Sequence, residues 1–411
     1  MKISLIGAGP GREGLISSEA KKIIDEADIL IGSERTMRSF GRGKTTYNIY
    51  KPEEIIAKIK NTGVGKNVAV LFSGDPGFFS GGKKLLNLLD RDESLKGTEI
   101  NVIPGISSMQ YFMENLHLTW ENTVLKSLHG RSANLIGYIR DNARVFSLFG
   151  NGDEIRETVE KLHYYGMDHV RILIGENLSY PDENIILTDP KGFLDEAISV
   201  GRLSVALFIN EKALSRAGVR IGDDLFIRGD VPMTKSEIRS LSLLKLDLKK
   251  DSVLYDIGAG TGSVSIEAAL MMPDGNVFAV ESKDKGINLI RENKRKFAAD
   301  NVTIINGSAP EALDGLIRPD RVFIGGSGGR LKEILEKVFS LNPEVRVVMN
   351  IVSLETLNAL GGIVDEMGLI SDLTLVNIAR MKKTGDHSMF TGLNPVYIAE
   401  LKKDGGNELQ R

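Results

Sequence analysis

Short apolar, β-branched runs recur along this chain, separated by stretches in which the apolar positions fall three and four apart. In the first half the runs lie at 3–6, 68–72, 100–103, 170–174 and 204–209. In the second half they lie at 253–257, 277–281, 302–305, 321–324, 345–351, 373–378 and 396–401. Strand-like runs alternating with amphipathic stretches predict α/β units built on parallel sheets, with seven strands in the second half. Glu211-Lys-Ala-Leu-Ser-Arg-Ala-Gly-Val-Arg-Ile-Gly-Asp-Asp224 is polar and lacks a strand period, so the pattern divides the chain there, into 1–211 and 212–403. The remaining 404–411 has too little apolar surface to offset ordering entropy and is expected to be a flexible tail.

Composition narrows the class. A length of 411 residues suits two or three domains at roughly 150 residues each. Lys and Arg number 52 against 55 Asp and Glu, and neither half is distinctly basic, which argues against a nucleic-acid surface. There is no cysteine, so disulfides, thiolate metal sites and a cysteine nucleophile are excluded. No apolar run approaches the ~20 residues of a membrane span, and Met1-Lys-Ile-Ser-Leu-Ile-Gly reads as a strand rather than a leader. The expectation is a cytoplasmic chain. Its five histidines show no ligand spacing and no metal is expected. His129 and His387 are of interest for their neighbourhoods, the latter in an expected polar loop, Lys382-Lys-Thr-Gly-Asp-His-Ser388.

The chemistry concentrates at Asp256-Ile-Gly-Ala-Gly-Thr-Gly262, between an apolar run and the helix-like Val264-Ser-Ile-Glu-Ala-Ala-Leu270. A strand, a glycine turn and a helix start let a ligand lie against bare amides, with a carboxylate for a ribose expected about 25 residues on. Glu281 stands there. The alternating glycines Gly258, Gly260 and Gly262 behind Asp256 resemble the S-adenosylmethionine (SAM) site of Rossmann-like methyltransferases. That resemblance gives the glycines to backbone approach, Asp256 to the loop or the methionine amine, and Glu281 to the ribose. Adenine recognition falls to Ser308 and Ala309 after the third strand. A tight connection without a ligand is the plainer alternative.

After the fourth strand, Ile324-Gly-Gly-Ser-Gly-Gly-Arg330 offers small residues and amide donors where an acceptor should meet the donor. Gly326, Ser327 and Gly328 are candidates for holding a bulky anion. Upstream, Thr234 precedes a helix, and Lys235 and Arg239 lie four apart on one expected helical face, where they could hold carboxylates or be solvated.

In order, Val231-Pro-Met-Thr-Lys-Ser-Glu-Ile-Arg239, the 256–262 motif, Gly307-Ser-Ala-Pro-Glu-Ala-Leu313 and Gly325-Gly-Ser-Gly-Gly329 resemble the decarboxylating precorrin methyltransferase domain of cobalamin biosynthesis. The first half resembles the tetrapyrrole (corrin/porphyrin) methylases, through Ile6-Gly-Ala-Gly-Pro-Gly11, Ser73-Gly-Asp-Pro-Gly-Phe-Phe79 and Val102-Ile-Pro-Gly-Ile-Ser-Ser-Met109. Leu128-His-Gly-Arg131 is similar to a run in the carbon-5 methylating member, and Arg12 stands where many of these enzymes carry Asp.

The resemblance implies a tetrapyrrole-methylase fold of two α/β subdomains followed by a Rossmann-like class I methyltransferase with a seven-stranded sheet. It implies one SAM per domain, the first against Gly74, Asp75, Pro76, Gly77, Pro104, Gly105 and Ile106. It also implies methylation of a precorrin at carbons 5 and 15 with loss of the ring C acetate carboxyl, and a homo-oligomer. A substrate with many carboxylates calls for cations and amides, which nominates Arg131, Lys235, Arg239 and the 325–329 loop. A sulfonium methyl needs positioning more than a strong base, so no catalytic acid or base is nominated. An RNA or protein methyltransferase, a nicotinamide-dependent oxidoreductase and a non-catalytic tetrapyrrole carrier are the competing readings.

Overall fold

A computed structural model describes residues 1–62, 64–128, 134–214 and 220–403. It separates into two compact units. One comprises Met1–Ala133, Asn142–His163 and Met167–Glu211; the other comprises Asn134–Asp141, Tyr164–Gly166 and Lys212–Arg411.

The first unit holds two five-stranded sheets. Strands β1 (Lys2–Gly7), β2 (Ile29–Gly32), β3 (Thr45–Asn48), β4 (Asn67–Phe72) and β5 (Glu99–Ile103) form an all-parallel sheet in the order β3-β2-β4-β1-β5. From Ile3 to Gly7, β1 is buried without alternation, because apolar clusters lie on both faces of the sheet. Strands β6 (Val124–Ser127), β7 (Arg144–Leu148), β8 (Arg171–Glu176), β9 (Asn184–Thr188) and β10 (Ser204–Ile209) form a mixed sheet in the order β6-β7-β10-β8-β9. Phe112 and Met113, from the helix Ser108–Asn115, pack with Phe146 and Leu207 of this second sheet. That helix begins with a reciprocal cap between Ser107 and Gln110, so its start just past β5 is fixed locally.

The second unit is built on β11 (Val253–Ile257), β12 (Asn276–Glu281), β13 (Val302–Asn306), β14 (Arg321–Ile324), β15 (Arg346–Ile351), β16 (Leu369–Val376) and β19 (Val396–Lys403). Their order is β13-β12-β11-β14-β15-β19-β16, with β19 antiparallel to both neighbours. The chain leaves β11 toward β12 on one side and later returns to β14 on the other, so the β11 turn sits at the switch point where α/β sheets bind ligands. One flanking helix, Leu331–Leu341, buries Leu331, Ile334, Leu335 and Val338, the apolar stripe of a helix lying on a sheet.

Three expectations differ from this outcome. The parallel arrangement expected of the first half holds for its first sheet but not its second, where β10 runs antiparallel to β7 and β8. The run expected at 373–378 is β16, which starts earlier because Gly368 (φ +60°) ends the preceding helix and releases the chain into extended backbone. The segment expected as a polar loop around His387 is a hairpin of β17 (Ala379–Thr384) and β18 (His387–Gly392). Its two-residue turn, Gly385-Asp386, is a hairpin signal, but Met381 and Phe390 are exposed, so the strands carry no core-facing alternation to reveal them.

Candidate functional site: two glycine-lined sheet edges

In the second unit the turn after β11 is closed by the neighbouring strand. Gly258 and Ala259 both donate to the Val280 carbonyl, at 2.9 and 3.1 Å. Gly258 (φ +72°) lies in the left-handed region, and a Cβ there would stand 2.7 Å from the Gly326 oxygen and 2.8 Å from its nitrogen. The turns after β11 and β14 therefore meet through bare backbone, which brings Gly258 and Gly326 together.

Glu281, at the end of β12, accepts from Gly260 N at 2.8 Å through Oε2 and from Ser282 N and Lys283 N at 2.9 Å through Oε1. It pairs in register with Asn306 of β13, and its carbonyl accepts from Gly307 N at 3.0 Å, which sets exposed Ser308 and buried Ala309 beside it. A carboxylate, the amide-lined turn and the Ser308 loop thus share one strand edge. Across the edge, Arg330 closes the 325–329 loop by forking onto Glu311, 2.6 Å on both arms, and holds that carboxyl down at about 2.

Asp256 is placed differently from the expectation that it serves the loop. It is 1% exposed, the Ser265 hydroxyl donates to its Oδ2, and its Oδ1 has no hydrogen-bond partner among the described residues. Burial pushes its carboxyl up to about 6, against the opposing Ser265 hydrogen bonds. Glu281, not Asp256, grips the glycine turn.

Arg239 is a correction. It is fully buried, where a substrate carboxylate cannot reach it. Its guanidinium donates to the Thr234 carbonyl at 2.7 Å and the Ile221 carbonyl at 2.6 Å, meets Asp223 at 3.3 Å, pairs with Glu267, and lies 4.9 Å from the Phe226 ring centre. A helical surface pattern cannot tell an outward arginine from one turned inward to a buried carboxylate; the signal was Glu267, a lone acid in an otherwise small and apolar helix. Lys235 is the cap residue of the helix Ser236–Leu246, half-buried, and its ammonium has no partner among the described residues. Thr234 is half-buried. The segment before them crosses the glycine turn, with the Pro232 oxygen 3.4 Å from a Cβ built on Gly260.

Asn293, absent from the sequence candidates, fixes that arrangement. It is fully buried, accepts from Ile227 N at 2.9 Å, and donates to the Ile227 and Thr261 carbonyls at 2.8 and 2.9 Å. A polar residue in the apolar stripe of Ile287 and Ile290 was its only trace.

In the first unit, the turns after β1, β4 and β5 converge. Gly9 and Gly74 exchange hydrogen bonds at 3.2 and 2.7 Å, and a Cβ on Gly7 would fall 2.7 Å from the Gly105 Cα and 2.8 Å from the Gly74 oxygen. Asp75 accepts from Gly77 N at 2.7 Å and Gly105 N at 3.1 Å, so one carboxylate joins the 74–77 turn to the 104–106 segment. Pro76 is buried, while Pro104 and Ile106 face solvent. Arg131 and His129 lie outside the described residues.

Comparison with known proteins follows the same division. Residues 2–191 match the Tetrapyrrole (Corrin/Porphyrin) Methylases family and residues 224–403 the Precorrin methyltransferase domain. A precorrin-6Y C(5,15)-methyltransferase [decarboxylating] from Sinorhizobium sp. is 30% identical over 363 residues, covering 85% of this chain and 84% of that protein. The chain belongs to the precorrin-6Y C(5,15)-methyltransferase (decarboxylating) family. Within this family assignment the second unit also aligns with a probable cobalt-precorrin-6B C(15)-methyltransferase (decarboxylating) from Pyrobaculum calidifontis, 42% identical over 43% of this chain and 93% of that protein. A solved precorrin-6Y C5,15-methyltransferase from Geobacter metallireducens is 44% identical over 44% of this chain and 97% of its own, with a TM-score of 0.43. Among the described residues, no His, Asp and Glu side chains gather as a metal site would require, and no helix is long and apolar enough to cross a membrane.

Proposed function

We propose that this chain is a SAM-dependent enzyme of cobalamin biosynthesis that methylates a precorrin at carbons 5 and 15 and releases the ring C acetate carboxyl as carbon dioxide. The observation that carries the reading is the pair of glycine-lined strand edges, one in each unit, on a chain matched along 85% of its length by a family member. In the second unit the Gly258 to Gly262 turn, Glu281 and the Ser308–Ala309 loop would hold the donor. The Glu281 carboxylate, which accepts three amides and has acceptor capacity to spare, suits a cationic nucleoside bearing ribose hydroxyls. In the first unit the donor would lie against Gly74, Asp75, Pro76 and Gly77 and the Pro104, Gly105, Ile106 segment, giving two donors per chain.

When bound, SAM supplies an electrophilic methyl. The residues of this chain would then bind and orient: the Ser327 and Gly328 amides, Lys235, which has no partner among the described residues, and the Thr234 hydroxyl would take substrate carboxylates in the second unit, while the Gly326 N–H is held by the Ile257 carbonyl at 3.3 Å. Holding the reacting carbon in line supplies several kcal/mol of the barrier, so neither unit needs a strong base at the edge. The reading also makes the chain a cytoplasmic homo-oligomer, for which light scattering gives the order. The purified chain, incubated with SAM and either precorrin-6Y or its cobalt counterpart, should yield a product heavier by two methyls and lighter by one carbon dioxide. A mass gain without decarboxylation, or no transfer from SAM with either substrate, would overturn it.

A further inference from the structure

The first unit contains a basic cluster that no motif marks. Gly11 and Arg12 end the turn after β1 and press against residues 177–180, which follow β8 in the second sheet. The Arg12 backbone N–H donates to Ser179 Oγ at 3.2 Å, and a Cβ on Gly11 would fall 2.3 Å from both Cζ and the hydroxyl oxygen of Tyr180. Arg35, just after β2, lies 5.4 Å from the centre of that same ring and donates to Ser73 Oγ at 2.6 Å. Ser73 is the residue before Gly74. Arg12, at the end of the β1 turn, and Arg35, in the first turn of the helix Glu34–Phe40, thus both meet the 177–180 segment, and Arg35 reaches within a residue of the glycine edge that carries the donor reading.

Both guanidiniums keep donor capacity, and most of the neighbouring carboxylates have partners of their own. The Arg12 side chain is exposed and has no hydrogen-bond or ion-pair partner among the described residues. Arg35 spends one of its five N–H donors on Ser73. Of the nearby acids, Glu183 is engaged by Ser179 N and Asn115, Asp182 by Asn177, and Glu34 by Arg38; Glu13 is exposed beside Arg12. The backbone is held in an uncommon form: Asn177 (φ +47°) and Ser179 (φ +70°) are non-glycine residues in the left-handed region, of the kind that surrounding contacts must enforce.

We infer that Arg12, fixed through its backbone on Ser179, and Arg35, set by Tyr180, form the subsite that grips carboxylates of the macrocycle in the first unit. The Tyr180 ring 5.4 Å from the Arg35 guanidinium and the Ser73 hydrogen bond hold that fork at the edge with N–H donors left for a carboxylate, while Arg12 supplies a second fork that has no partner among the described residues. The inference rests on reading this unit as the carbon-5 methylating one, and it adds residues that reading did not contain.

The test uses the full chain. Arg12→Ala and Arg35→Ala should each raise KM for the precorrin in carbon-5 methylation ~tenfold or more, as loss of a charge-assisted pair does, with kcat little changed. S-adenosylhomocysteine should still bind at two per chain with unaltered affinity, and Arg12→Lys should recover part of the loss. Unchanged KM in the double variant overturns the subsite. So does a fall in Tm and nucleoside affinity without a KM effect, which would mark a structural strap. If the wild-type chain transfers no methyl to carbon 5, the functional reading fails separately. Binding of uroporphyrin, an octacarboxylate, to wild type and double variant then decides the arginines: weaker binding in the variant keeps the anion subsite and equal binding removes it.

Discussion

The Glu281 carboxylate accepts the Gly260 N–H at 2.8 Å, so the residue expected to face a ribose also fixes the turn on which the ligand would lie. Its other oxygen takes two further amides. Glu281→Ala should therefore weaken S-adenosylhomocysteine binding in the second unit by roughly ten- to a hundredfold, the range for hydrogen bonds to a charged group. Calorimetry should show one tight site retained and one lost; two unaltered sites would refute the assignment.

Asp256 makes stability depend on pH. Its carboxyl titrates at about 6 in the folded chain against an ordinary 3.8. The folded state thus binds the proton more tightly, and between these values stability falls as pH rises, levelling above the folded value. About two units correspond to about 3 kcal/mol. Asp256→Asn removes this dependence, so the variant should gain on wild type by about that amount between pH 4 and 7 in urea unfolding. A constant difference across the range would show that the site is not buried as described.

Arg239 should behave as a structural residue. Arg239→Met leaves Glu267 buried without its cation and should cost about 3–5 kcal/mol in chemical unfolding. Replacing both, Arg239→Met with Glu267→Leu, should recover much of that loss. A double variant no more stable than Arg239→Met alone would refute the pairing.

In the first unit, Asp75→Ala removes the acceptor shared by Gly77 N and Gly105 N. Nucleoside affinity there should fall by about tenfold or more while the second unit's site is untouched. Competition binding in the Glu281→Ala background isolates the effect. Equal affinity with and without Asp75 would remove its positioning role.

The parallel cores were legible because strands buried on both faces are written as unbroken apolar runs, as at 68–72 and 277–280. Short strands such as β2 and β3 offered only four residues each and escaped notice. Glycine turns were legible as motifs, since backbone contacts such as Gly258 on Gly326 admit no side chain. Their supports were not. Which way Arg239 points, and that Asn293 reaches Ile227, depend on tertiary contacts between residues 18 and 66 positions apart. The sequence marks Asp75 as part of a motif but not its link to Gly105, which is 30 positions away.

By binding the carbonyls of both Ile221 and Thr234, the Arg239 guanidinium makes a ring of the chain between them, and Asn293 tacks its middle at Ile227. The peptide lying above Gly260 is therefore a cinched strap rather than a free flap. Its ordering entropy is lost when the protein folds, so an arriving nucleoside meets a roof already in place and its affinity is spared that cost.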